Sequence, residues 1–331
     1  MGHADINATV EEDYDVDTFH ADVSEQVIVW SKVADTTISS WLGYEDNTTV
    51  CKVPNKVKHE SKEIDAFFQN DKYFNETANT FIRLRTDSHF QSKVSSDFNL
   101  KLSAQLGFNK CQEQFKFFAE NMTLNRDKQA DTQTDNDNPD IGIRYFAVER
   151  YGIEPSYSLG LNGIHPFVSA RYSMSFNANT WEIDPIQTFK YSSNDAFREE
   201  TNIYFDKALD KESLFRLNLH RATGDDFDGM NYGLTLQYYL NSKQDIGFRF
   251  SQSFFGNTKY KTTLEKSVDG PQIKEYSGIN NYVSSLSFRA KVWRPWFYYE
   301  LRPSVNFHRD YDYEPNYSVR LFFDFYFGNY H

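Results

Sequence analysis

The sequence predicts an all-β chain, a transmembrane antiparallel up-and-down β-barrel of about fourteen strands behind a short N-terminal helical segment. Three observations predict it. No apolar run reaches the roughly 18 residues that a membrane-spanning helix needs. Aromatic residues make up 17% of the 331-residue chain, with 30 Phe and 22 Tyr, although mean hydropathy is only −0.68. From about residue 79 to the C-terminus, apolar and polar residues alternate with period two. A barrel in lipid needs an apolar residue at only every second strand position, which reconciles high aromatic content with low hydropathy. A soluble sandwich or lipocalin-like barrel also alternates. It would, however, place Lys and Glu on its outer face and would not run to about fourteen strands with one face so uniformly Leu, Phe and Tyr.

The first residues are acidic and irregular to about position 22. The opening MGHADINATV lacks the basic start, apolar core and cleavage site of a secretion signal, and Met1-Gly2-His3 reads as residues attached ahead of a mature chain. Ser24 then offers a helix N-cap, with Val27, Trp30, Ile38, Trp41 and Leu42 as apolar contacts and Gly43 as a stop, which predicts 15 to 18 helical residues. SKEIDAFFQND predicts a second, shorter helix carrying Ile64, Phe67 and Phe68. Residues 1–76 form this helical segment, placed in the periplasm or inside the lumen, and residues 77–331 form the barrel.

Each strand is justified by its outward row. Ile82 and Leu84 alternate with Arg83 and Arg85. Phe98, Leu100, Leu102, Ala104, Leu106 and Phe108 face away from Asn99, Lys101, Ser103 and Gln105. Phe115, Phe117 and Ala119 continue the pattern, as do the shorter IGIRYFAVE and PSYSLGLNG. Val168, Ala170, Tyr172, Met174 and Phe176 oppose Ser169, Arg171, Ser173 and Ser175. WEIDPIQTFKYS and AFREETNIYFDKAL are the least regular pair, with Pro185 as a candidate bulge. Merging weak segments between residues 140 and 210 would leave twelve strands. LFRLNLHRA, NYGLTLQYYL, QDIGFRFSQSFF, YVSSLSFRAKV and WFYYELRPSVNFH then alternate cleanly, and SVRLFFDFYF closes the series. Alternate connections are short (ERYGIE, NANT, LDKES, RPW), whereas the intervening set includes the long polar NRDKQADTQTDNDNPD and HRDYDYEPN. Short turns at one rim and longer loops at the other is the asymmetry of outer-membrane barrels.

The last strand, ending in alternating aromatics, resembles the terminal strand by which bacterial outer-membrane proteins are recognised and inserted. It departs from that pattern in the residues Gly328, Asn329, Tyr330 and His331 that follow Phe327. IDAFFQNDKYF through FKFFAEN, about residues 64 to 121, resembles the start of an uncharacterised proteobacterial outer-membrane family, which brings no activity with it. The resemblance implies a Gram-negative outer membrane and the barrel-assembly machinery as a partner during insertion. The strand and loop pattern itself implies contact with outer-membrane lipid and a periplasmic N-terminus, where residues 1–76 are a candidate docking segment for a periplasmic protein.

The polar phase of the strands carries the candidate pore-lining residues: Arg83, Arg85, Lys101, Arg171, Arg216, Arg249, Arg289, Lys291, Glu300, Arg302, Arg320 and Asp324. Cations outnumber anions there, although the whole chain has a net charge of −12. A basic, low-dielectric lumen concentrates anions, so one expectation is a porin-like channel for small polar or anionic solutes. The other is a closed lattice of arginine–carboxylate pairs in a plugged, structural barrel that anchors a periplasmic partner. Catalysis is not expected. His220 near Asp225 and Asp226, and His308 near Asp310, have no accompanying nucleophile motif. No cofactor or metal is expected either, since the acidic stretches DTQTDNDNPD and TGDDFDG lack the twelfth-position Glu of a calcium loop. Acidic loops argue against nucleic acid.

Cys51 and Cys111 are the only cysteines. In an oxidising periplasm they are expected to pair, tying the N-terminal segment to the barrel's turn-side rim or holding it inside the mouth. Thiol titration of the denatured, unreduced protein then finds no reactive thiol; two would exclude the bridge.

Overall fold

In lipid each strand must pair on both sides, because no water is there to satisfy a free edge. The computed structural model describes residues 15–41, 60–68, 70, 80–93, 95–108, 115–123, 139–225, 228–242, 245–264 and 272–329. Helices α1 (Val16–Trp41) and α2 (Glu60–Phe68) precede β1 (Phe81–Gln91), β2 (Asp97–Phe108), β3 (Phe115–Thr123), β4 (Asp140–Phe146) and β5 (Ile153–Asn162). Next come β6 (His165–Met174), β7 (Phe176–Ala178), β8 (Trp181–Ser192), β9 (Ala196–Ala208) and β10 (Ser213–Gly224). β11 (Asn231–Ser242), β12 (Ile246–Leu264), β13 (Gln272–Lys291), β14 (Phe297–His308) and β15 (Pro315–Gly328) complete the wall.

These fifteen segments form one antiparallel sheet in sequential order. β6 and β7 are one strand interrupted at Ser175, since both pair with β8. The result is a closed barrel of fourteen strands, so the twelve-strand alternative falls. Pro185 is not a bulge. Ser173 faces Ile186 and Phe176 faces Ile183, which is the same register on both sides of the gap. The ladder lapses opposite Pro185 because proline has no N–H to donate. Register shifts occur instead between β2 and β3 and between β12 and β13.

The ring closes where β15 pairs with β1 along its whole length, from Phe81 opposite Gly328 to Gln91 opposite Ser318. Inside this seam the Arg85 guanidinium donates twice to Asp324, at 2.5 and 2.8 Å. At the loop end, Ser92 donates to Asn316 and Lys93 pairs with Glu314. The hydrogen bond and charge of Lys93 hold the Glu314 carboxyl below the usual carboxylate range. Not every loop-side connection is long. Gly163, with φ of +62°, allows a two-residue hairpin between β5 and β6.

α1 differs from the sequence reading in extent and orientation. It begins at Val16, eight residues before Ser24, so residues 16–22 are helical. Its docking stripe is largely polar, which apolar periodicity could not reveal. His20 reaches the Tyr326 carbonyl oxygen at 2.6 Å and stacks on Trp296, and Ser31 donates to the Gly107 carbonyl oxygen at 2.9 Å. Asp17 accepts from Arg294 at 2.6 Å. Val27 is fully buried between these contacts, whereas Trp30 is 56% exposed. α1 therefore lies across the turn-side rim beneath the seam. The side chains of Ile38 and Trp41, and all of Leu42, lie outside the described residues, as do Cys51 and Cys111.

Asp324 is wholly buried between two guanidinium groups. Asp324→Ala would leave Arg85 and Arg289 without their common carboxylate, and we expect it to destabilise the barrel by about 3–5 kcal/mol. Urea unfolding in lipid vesicles measures the loss.

Candidate functional site

The inner face divides into a packed half and an open half. On β3 to β8 large residues fill the interior: Phe118 and Phe167 are buried, with the Arg144 guanidinium 4.9 Å from the Phe118 ring and the Lys190 ammonium 4.4 Å from the Phe167 ring. Gly142 and Gly160 face each other across β4 and β5 beneath these two rings, where a Cβ on either would meet backbone at 2.5 Å or less. The open half is bounded by β1 and β9 to β15. It holds a polar cavity of 480 Å³, walled mostly by Arg, Asn, Gln and Ser side chains.

Helix α2 sits against three residues of the cavity wall, Arg216, Tyr239 and Arg249. Asp65 accepts two hydrogen bonds from Arg216, at 2.6 and 2.9 Å, and Arg216 also donates to Asp206 at 2.7 and 2.6 Å. All three side chains are almost fully buried. Phe67 and Phe68 pack edge-on against Tyr298 and Tyr239. Gly247 makes this approach possible. A Cβ there would lie 2.6 Å from Phe67 and 2.7 Å from Phe68, so a larger residue at this position would displace the two rings. Asn70, just past the helix, accepts from Arg249 at 3.2 Å and borders the cavity.

Beside α2 lies a lattice of charge. Glu300 is approached by Arg302 at 2.6 Å and by Arg249 and Arg289 at 3.4 Å each. Asp324 is approached by Arg85 at 2.5 Å and Arg289 at 2.6 Å. Four guanidinium groups thus share two carboxylates, and two positive charges are left over within the cluster. Tyr298 ties the lattice to the helix, since the Arg289 guanidinium lies 4.7 Å from its ring on one side and Phe67 packs on another.

The twelve residues singled out from the sequence separate into groups. Arg216, Arg249, Arg302 and Arg320 border the cavity, with Arg320 3.2 Å from His89. Arg85, Arg289, Glu300 and Asp324 form the buried lattice. Arg83 donates to Ser103 at 3.2 Å, Lys101 stands 3.7 Å from Asp87, Arg171 donates to Ser173 at 3.5 Å, and Lys291 pairs with Asp245 at 2.6 Å by the turn-side rim. Alternation did not single out Asn70, Tyr239, Asn281 or Asn306, because amide and tyrosine side chains do not mark a phase as arginine does. His220 points inward toward Asn202 and Glu200, and His308 accepts from the backbone N–H of Asp310.

Several solved structures are similar to this chain at low identity. An anion-selective porin from Comamonas acidovorans matches with a TM-score of 0.43 and 8% identity, over 75% of this chain and 98% of that one. The Pseudomonas aeruginosa protein OccK10 (OpdN) matches with a TM-score of 0.44 and 9% identity, over 75% and 98%. The KdgM porin in complex with disordered oligogalacturonate matches with a TM-score of 0.35 and 7% identity, over 73% and 98%. No family model and no curated protein matches the sequence. The closed antiparallel ring, with apolar rows outside and charged rows inside, is itself the architecture of an outer-membrane β-barrel.

Asp65→Ala removes one of the two carboxylates on Arg216 while Asp206 keeps the arginine paired. We expect the seating of α2 to weaken by about 1–3 kcal/mol, read as faster amide exchange over residues 60–68 with strand protection unchanged.

Proposed function

We propose that the chain is an outer-membrane channel for small anionic or polar solutes, closed in this conformation by α2. The observation that carries the reading is the seating of Asp65, Phe67 and Phe68 against the wall residues of a cavity bordered by arginines. The cavity has the donors that carboxylate and phosphate oxygens require: guanidinium groups for charge, amides and hydroxyls for the rest. The surplus positive charge of the Glu300–Asp324 lattice lies in a site where wall and helix exclude much of the water, so its field is poorly screened. Cations are repelled there and anions gain local concentration. Closure rests on one buried ion-pair triad, two aromatic rings and one glycine, a small contact that a modest bias could release.

A plugged barrel that anchors a periplasmic partner is the second reading. It is favoured by α1, which leaves Phe19 and Val33 exposed at 51% and 60% beside the exposed Trp30.

Planar-bilayer recording separates the two readings. Wild type is expected to conduct little, while Asp65→Ala combined with Phe67→Ala, or deletion of residues 1–75, opens an anion-preferring pore. Adding Arg249→Gln and Arg302→Gln should lower its anion-to-cation permeability ratio by roughly tenfold. A barrel that stays closed in every variant leaves the anchoring role.

A further inference from the structure

One patch of the outer face is charged where the rows around it are apolar. On β8, β9 and β10, the outward rows are fixed by Asp206 and Arg216, which point inward and pair with each other. Gln187, Glu199, Thr201 and Arg221 fall on the opposite phase and so face outward. They form a network of their own. Arg221 donates to Glu199 at 2.9 Å, Gln187 donates to the same carboxylate oxygen at 3.2 Å, and Thr201 donates to Gln187 at 2.6 Å.

Position makes the patch unusual. Along β8, Ile183 and Pro185 precede Gln187, and Phe189 and Tyr191 follow it. Along β9, Phe197 precedes Glu199 and Thr201, and Ile203 and Phe205 follow them. On β8 and β9 the network therefore sits within the apolar band, with aromatics between it and the loop-side rim, while on β10 Thr223 is the one outward residue between Arg221 and the strand's end at Gly224. It adjoins an apolar groove of 600 Å³ walled by Tyr157, Val168, Ala170, Phe189, Tyr191 and Phe197. The Arg221 side chain is 47% exposed and makes a single hydrogen bond among the described residues, leaving most of its five donors facing outward.

We propose that this face binds a second copy of the same chain, through a two-fold contact centred on Glu199 and Arg221. Hydrocarbon cannot satisfy the outward donors of Arg221. A facing protein surface with a carboxylate at the same depth would satisfy them. A second copy in the same membrane provides that automatically, because a two-fold axis along the membrane normal sets each patch against its equal. The patch is self-complementary: Arg221 of each copy meets Glu199 of the other, and each carboxylate gains a second cation. The proposal does not depend on whether the lumen conducts.

The test is the mass of the purified protein in mild detergent and in nanodiscs. Wild type is expected at twice the chain mass. Arg221→Glu and Glu199→Arg are each expected as monomers with the barrel intact by heat-modifiability. Co-expressed with different tags, the two are expected to form a mixed dimer at least tenfold more abundant than either self-pair. A monomeric wild type, or variants that stay dimeric alone and show no mixed preference, would overturn the proposal. So would wild type carrying a different protein on this face. If a charged variant fails to insert, E199L/R221L matches the surrounding band and should insert as a monomer; a dimer there also overturns it.

Discussion

Burial of charge inside a closed wall is the constraint on which the rest of this molecule depends. Lipid forces the ring shut, since any unpaired strand edge would leave backbone groups without partners. The period-two pattern then directs one face of every strand inward, and this sequence has put arginine on many of those positions. Buried guanidinium groups are tolerable only when carboxylates and hydrogen-bond acceptors meet them. Asp324 and Glu300 do this on the side of the seam, and Asp206 does it across the lumen. The same Asp324 that closes β15 against β1 also holds Arg289, so seam and lattice are one structure.

The placement of α2 follows from that arrangement. Arg216 is wholly buried, and one carboxylate from the wall together with one from the helix makes a fully hydrogen-bonded triad. A helix that carries a carboxylate and two phenylalanines within one turn has both parts of its docking site in the barrel: a guanidinium for Asp65 and a glycine-floored recess for Phe67 and Phe68. Cation and cavity thus stand side by side, and under the proposed function the helix that completes the charge pairing also closes the pore. Such a channel would open when another anion, or a bias on the helix, takes the place of Asp65.

Much of this was legible in the sequence because period two carries strand, face and phase together. The seam could be read from SVRLFFDFYF, with Arg85 and Asp324 on the inward phase at the two ends of the barrel. What alternation could not carry was tertiary. Neither the register that brings four arginines around two carboxylates nor the aim of Asp65 at Arg216 is written in any local spacing. α1 escapes such a reading because its contacts run through His20, Ser31 and Asp17 rather than through an apolar stripe, and Trp30, the largest apolar side chain of its middle turns, stands exposed. The irregularity of WEIDPIQTFKYS and AFREETNIYFDKAL was a signal of another kind. Those strands read poorly because Gln187, Glu199 and Thr201 occupy outward positions where lipid calls for apolar side chains.

Closure requires α2 to occupy the turn-side half of the lumen when the barrel is in a membrane. Pulsed electron paramagnetic resonance reads this as a distance, with spin labels at Glu63 on α2 and Asp210 on the β9–β10 turn, and with both native cysteines replaced by serine. A single short, narrow distance distribution is expected in lipid vesicles, broadening and lengthening when Asp65 is changed to Ala. A broad distribution in the otherwise native protein, unaffected by that substitution, would show that α2 is not seated there.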